Sequence, residues 1–274
     1  MVFETDPPAI YARSTLHLHL PTGGAIRTHG TAAGPEPPPR RAHHAGTGLF
    51  DVLTHWRTEG IGMTESIAGV VIPDSRMVAE ATDLVRDSAS PLLFHHSRRV
   101  YLFGMLWGRR RGLEPDPELL YVGALFHDLG LTDAYRTTHQ RFEVDGADEA
   151  RRFLIAHGLD TEAAQRVWTA IALHTTPGIP EHMEPEIALV NAGVATDVLG
   201  IGYHDLDPGE IRAVVAAHPR PDFKKQILAA FAHGFADRPD TTFGTINADV
   251  LARFQPGFTR TDFVDAIEAG PWPE

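Results

Sequence analysis

Between Ile187 and Leu199 the chain is apolar on nearly every side except for one carboxylate, Asp197. At helical spacing Asp197 continues the stripe Val190, Gly193 and Val194, so a helix built from this run turns the acid toward the core. An unpaired buried carboxylate is costly, so it must neutralise, find a cationic partner or bind a metal. Arg98 and Arg99 are the helical arginines that could pair with it. A metal partner set is also present. His127-Asp128 stands in a second apolar helix, and His96 lies on the stripe Leu92, His96, Val100, Phe103 and Trp107 of a third. His96 and His127 are 31 residues apart, and Asp128 and Asp197 are 69 apart. A lone histidine on an apolar face is more often a satisfied core residue than a ligand. Three buried polar groups on three separate helices are harder to satisfy internally, and together they point to a hydrolytic metal site.

The rest of the pattern is helical. Ile72-Pro-Asp-Ser75 stops one segment and caps the next, in which Met77, Ala81, Leu84 and Val85 share a face. Pro91 opens the His96 helix, and Pro117 opens a helix that runs through His127-Asp128, with Gly130 as its C-terminal cap. A helix from about Arg141 to His157 ends at Gly158, and one capped by Asp160 carries Ala164, Val167, Ile171 and His174 before Pro177. The Asp197 helix follows Pro185, a short one follows Asp207-Pro208, and others hold Phe223, Ile227, Leu228 and Phe231, then Thr261 to Ala269. Valine and isoleucine never alternate as in strands. The expected fold is all-α, a single domain of eight or nine helices over residues 49–274. From about Leu20 to Gly48 the chain is rich in Gly, Pro and Thr without an apolar period, and residues 1–48 are expected to be a disordered, dispensable leader whose histidines form no site.

Composition narrows the function. A formal net charge of −12 argues against a nucleic-acid partner. No run approaches the ~18–20 apolar residues that span a bilayer, and the N-terminus lacks the pattern of a secretory signal, so a cytoplasmic location is expected. With zero cysteines, any metal must be held by nitrogen and oxygen, and thiol catalysis is excluded. Glu143 and Asp145, near a helix start, are dipole and cap residues on one reading and acid/base or supporting groups on the other. Thr132 and Asp133 divide similarly between a helix cap and the mouth of a site.

His96, His127-Asp128 and Asp197 resemble the H…HD…D signature of the HD-domain superfamily, metal-dependent hydrolases with an all-α helical fold. The text is similar to its cyanamide hydratase-like branch in His96-Ser-Arg-Arg-Val-Tyr-Leu-Phe-Gly104, in Ala124 to Thr132, in Arg141-Phe-Glu-Val-Asp-Gly-Ala147, in Ala172-Leu-His-Thr175 and in Asn191 to Gly200. That resemblance implies His96, His127, Asp128 and Asp197 as ligands of one divalent metal, zinc first, with iron, manganese or nickel also possible. It implies no further cofactor. The implied reaction is hydration of a small nitrile-type substrate, cyanamide giving urea, by a metal-acidified water. Asp128 would orient that water, His174 would donate a proton to nitrogen, and Glu143 would assist. Phe126, Phe142, Trp168 and Ile171 would line a tight pocket. The alternative is an HD-type phosphohydrolase acting on a nucleotide or phosphate ester, with Arg98, Arg99 or Arg141 near the metal. A small-molecule substrate is the expected partner, with no membrane partner, and a homo-oligomer is possible.

Overall fold

The computed structural model describes residues 65–269; the expected leader lies outside the described residues. Among them, ten helices follow a two-strand hairpin. The hairpin pairs Ser66–Ile67 (β1) with Val70–Val71 (β2), and its turn places Ala68 and Gly69 at φ 52° and 71°. Strands two residues long carry no readable alternation, so sequence periodicity does not reveal them. The first helices begin where polar caps stand. Ser75 accepts from the Val78 amide at the start of α1 (Arg76–Ser88), and Ser90 accepts from that of Leu93 at the start of α2 (Pro91–Arg111). Asp116 caps α3 (Pro117–Phe126) through two amides, and α4 (Phe142–Ala156) follows. Asp160 caps α5 (Thr161–Ala172), and Pro185 opens α6 (Pro185–Val194). Asp207 caps α7 (Pro208–Ala217), before α8 (Phe223–Phe235), α9 (Asn247–Phe254) and α10 (Phe263–Glu268). The sequence offers no clear signal for α9, which accounts for the higher count.

Helix α2 is the axis of the molecule, and α6 lies against it at backbone contact. A Cβ at Gly104 would sit 2.9 Å from the Leu189 carbonyl oxygen, and one at Gly193 only 2.2 Å from that of Val100. The two helices are thus close enough for His96 and Asp197 to meet. Gly130 has the same kind of role rather than the expected capping one. Helix α3 has already ended at Phe126, and a Cβ at Gly130 would fall 2.1 Å from the Phe142 carbonyl oxygen. That contact brings the start of α4 onto the His127-Asp128 turn.

Apolar packing divides into two clusters. The larger joins α1 to α6, with Val100, Leu120, Phe126, Val167 and Leu189 among its members. The smaller joins Leu93, Leu131, Phe142, Phe223, Ile227, Phe235 and Leu251, so it places α8 and α9 over one end of the first. A buried ion pair anchors that second layer. The Arg238 guanidinium pairs with Asp145 and donates to the carbonyls of Gly234 (2.8 Å), Gln140 (3.0 Å) and Gly130 (2.6 Å). Asp145 also accepts from Thr137 and Gln140, so it is a structural hub tying α4 to the C-terminal helices.

Gly193→Ala therefore tests the α2–α6 contact. Backbone that close must separate, and overpacking of this kind costs about 1–3 kcal/mol or more. Gly200→Ala, at φ 71° but with open space around it, should cost less. Chemical denaturation of both variants checks the order; an equal or smaller loss for Gly193→Ala would refute the contact.

Candidate metal centre

Three helix ends and one helix interior deliver the candidate residues to one place. His96 comes from the second turn of α2. His127 caps the C-terminus of α3, and Asp128 follows at φ −102°, ψ 7°, where the helix has already given way to a tighter turn. His174 stands two residues past the end of α5. Asp197 lies in a five-residue π-helical turn, Ala195–Leu199, that continues α6. A π turn re-aims side chains relative to an α-helix and recurs at functional sites. All five residues are buried, at 1% exposure for His96, 0% for His127, 2% for Asp128, 3% for His174 and 4% for Asp197.

His96, His127 and Asp128 form a group whose ligand atoms lie within 4.8 Å of one another. The Nε2 atoms of His96 and His127 are 3.1 Å apart. Asp128 Oδ2 is 3.6 Å from the first and 3.4 Å from the second, and its Oδ1 is 3.7 Å from His174 Nε2. The other ring nitrogens show why this group calls for a cation. His127 Nδ1 is 2.7 Å from the Ala124 carbonyl oxygen, and His174 Nδ1 is 2.7 Å from that of Ile171. A carbonyl cannot donate, so both Nδ1 atoms carry the proton and both Nε2 atoms are bare lone pairs in the neutral ring. Both carbonyls belong to the last turns of α3 and α5, where the helical ladder runs out, and that of Ile171 also accepts the His174 amide at 3.3 Å. His96 Nδ1 donates likewise to Asp197 Oδ2 at 2.7 Å. Three lone pairs thus converge on a carboxylate, and neither oxygen of Asp128 has a hydrogen-bond partner. Only a proton or a metal ion relieves that arrangement, and the donor set of imidazole nitrogen and carboxylate oxygen suits a divalent transition metal.

The electrostatics agree. Burial opposes charge on His127, but Asp128 overcomes it and holds the ring above its ordinary pKa. Burial dominates at His96, which falls below its own. Asp128 stays ionised despite burial because of His127 and its neighbours. His174 is pushed down to about 4 by burial and by His127. With its Nδ1 proton turned to Ile171, its Nε2 is placed to accept a proton before it can donate one.

Asp197 is also placed differently from expectation. Its carboxylate accepts a two-pronged bond from Arg99, Nε to Oδ1 and Nη2 to Oδ2, both 2.8 Å, besides the bond from His96. Arg220 adds a bond to its carbonyl oxygen at 2.6 Å. The acid therefore stands behind His96 and outside the ligand group, because the buried Arg99 supplies the cation that its burial demands. Burial favours the neutral acid, yet these partners hold the Asp197 carboxyl well below the usual range.

Glu143 is buried and fully engaged. It receives Arg141 at 2.7 Å and Asn247 at 3.1 Å on Oε1, with Thr175 at 2.5 Å on the same oxygen. Burial is again outweighed by Arg141, so the acid is ionised. Its grip on Thr175 holds the turn that carries His174, which is a positioning role. Thr132 bonds the Leu129 carbonyl, and Asp133 is exposed beside His233; neither reaches the cluster. Of the expected lining residues, Phe142 faces the His174 ring at 5.4 Å, whereas Phe126 packs on Phe153 and Trp168 bonds Asp148. Phe223, unforeseen from sequence, covers the His96 ring at 5.4 Å.

A family model described as HD domain matches residues 93–220, just under half of the chain. The match takes in every residue of the cluster and supports the HD superfamily for this protein. HD domains are typically metal-dependent hydrolases, and with the His96–His127–Asp128 group the match supports a metal-dependent HD enzyme. No curated protein matches the chain. No helix among the described residues is long and apolar enough to cross a membrane.

Purified protein is expected to carry about one equivalent of a divalent transition metal. His127→Ala or Asp128→Ala should remove it, and elemental analysis showing no difference would exclude the site. Stability has its own pH signature at His218, pushed down to about 3 by burial and by Arg98. The unfolded chain binds that proton near pH 6.5 while the native chain does not, so this contribution is complete above pH 6.5 and is lost as pH falls toward 3. Melting temperature should drop across that window less steeply in His218→Gln; parallel curves would disprove it.

Proposed function

We propose that the protein hydrates a small, uncharged nitrile-type molecule, most simply cyanamide to urea. The observation that carries this reading is the closure of the cluster. It is sealed by Phe142 and Phe223 and by the apolar cluster they belong to. Two hollows on the surface, one beside Arg109 and Asp207 and one along residues 239–266, are lined by other residues. The arginines that a phosphate would need are already committed to carboxylates, Arg99 to Asp197, Arg141 to Glu143 and Arg98 to Glu65. An apolar wall around a donor set of this kind suits a linear molecule of a few atoms better than a polyanion.

His96, His127 and Asp128 would hold the metal, which when bound would supply a water acidified toward neutral pH, while His174 stands beside them with its Nε2 free. The net change adds one water across C≡N, hydroxyl to carbon and one proton to nitrogen, and the resulting isourea-type product moves its hydroxyl proton to nitrogen to give the amide. Within the protein, the ionised Asp128 orients the water. His174 Nε2, an acceptor by virtue of its bond to Ile171, takes a proton and returns it to the nitrile nitrogen. Glu143 keeps His174 in position through Thr175.

The second reading, hydrolysis of a phosphate ester, draws on the usual chemistry of HD domains and on Arg220. That side chain is 34% exposed, and its Nε makes no hydrogen bond. Urea release from cyanamide, compared with a metal-stripped control, separates the two. His174→Ala should keep metal and lose at least ~100-fold in kcat. No urea, together with phosphate release from a nucleotide, would transfer the assignment to the phosphohydrolase.

A further inference from the structure

We infer that Arg99 is a positioning residue for the metal centre, acting on His96 through Asp197 and on the roof of the site through the 218–223 segment. The inference rests on the metal reading above. Arg99 is fully buried, at 0% exposure, one turn along α2 from His96. Its fork holds both Asp197 oxygens at 2.8 Å, and Asp197 in turn accepts the His96 Nδ1 proton at 2.7 Å. This chain fixes the ring so that the bare Nε2 points at His127 and Asp128. A planar, permanently charged fork can do this with both bonds at once, whereas an ammonium cannot.

The remaining donors of the same guanidinium reach across to the roof. Nη1 bonds the carbonyls of His218 at 3.1 Å and Pro219 at 3.0 Å. The group also lies 5.0 Å from the ring of Phe223, with Arg220 at 4.5 Å, and Phe223 is the ring that covers His96. The segment between them includes Asp222 at φ 48°, a left-handed conformation unusual for a residue with a side chain. One side chain therefore fixes the orientation of a ligand and the covering of that ligand.

Arg98 provides the internal comparison. It is a buried arginine on the same helix, but its bonds go to Tyr121, to His218 Nε2 at 3.3 Å and to Glu65 at 2.8 Å, none of them at the cluster. If Arg99 only stabilised the fold, the two arginines would behave alike.

The test uses Co²⁺ as the probe, its affinity measured against a competing chelator and its coordination by visible absorption. Loss of a group that orients a ligand typically weakens metal binding by about 10–100-fold. Arg99→Lys is expected to show that loss with an altered absorption band, whereas Arg98→Lys should lower the melting temperature and leave affinity and band as in the parent. Asp197→Asn should give a graded loss like that of Arg99→Lys, and adding Arg99→Lys to it should weaken binding by less than Arg99→Lys does alone. The inference is overturned if Arg99→Lys retains the parental affinity and band, if Arg98→Lys shows the same loss, or if Asp197→Asn abolishes Co²⁺ binding, which would put the carboxylate on the metal. Should Arg99→Lys not fold, Asp197→Asn decides: a graded loss supports the inference, and unchanged or abolished binding overturns it. His127→Ala with undiminished Co²⁺ binding would instead refute the metal reading itself.

Discussion

Three imidazole nitrogens and an ionised carboxylate converge on one small buried space, and the site is organised around that convergence. It persists because each ring is pinned from behind. His127 and His174 are held by carbonyls in the last turns of the helices that precede them, and His96 by a carboxylate. The same local geometry, a ring bonding back to the carbonyl three residues earlier, occurs twice on two unrelated helices. A helix that stops at the right residue supplies both the ligand and its anchor.

Keeping charge in such a place requires countercharge, and the structure provides it one layer out. Arg99 faces Asp197, Arg141 faces Glu143 and Arg238 faces Asp145. Each pair joins the surroundings of the cluster to a different part of the chain: the segment before α8, the turn after α5, and the C-terminal layer. Removing one member of either fully buried pair, Arg99–Asp197 or Arg238–Asp145, costs roughly 3–5 kcal/mol, because the other is left uncompensated. The ion pairs therefore act as connectors, and the glycine contacts between α2 and α6 and at Gly130 bring the connected parts within reach.

These connectors also shape the chemistry. The arginines around the site are engaged with carboxylates, and the rings of Phe223 and Phe142 lie beside those of His96 and His174. Polarity is concentrated on the face formed by His96, His127, Asp128 and His174, and the rings beside it are apolar.

Much of this was legible in the chain. Apolar stripes with Ser, Asp and Pro at their starts located most of the helices, because capping and side-chain periodicity are local properties. Three apolar helices each carrying an unsupported polar group pointed to a metal, and His96, His127 and Asp128 do come together as the spacing implied. Helix α9 and the short hairpin were missed, the first for want of a strong stripe and the second because two-residue strands have no period to read. The roles of Asp197, His174 and Glu143 depended on tertiary contact. The order of residues offers Arg98 and Arg99 alike as partners for Asp197, and it does not tell that Arg99 is the one, that the proton of His174 turns to Ile171, or that Glu143 is occupied by Arg141, Thr175 and Asn247. Sequence determined which residues had to be buried with their charges. Only the packed structure decided which partner neutralised each one, since that depends on distances between elements far apart in the chain.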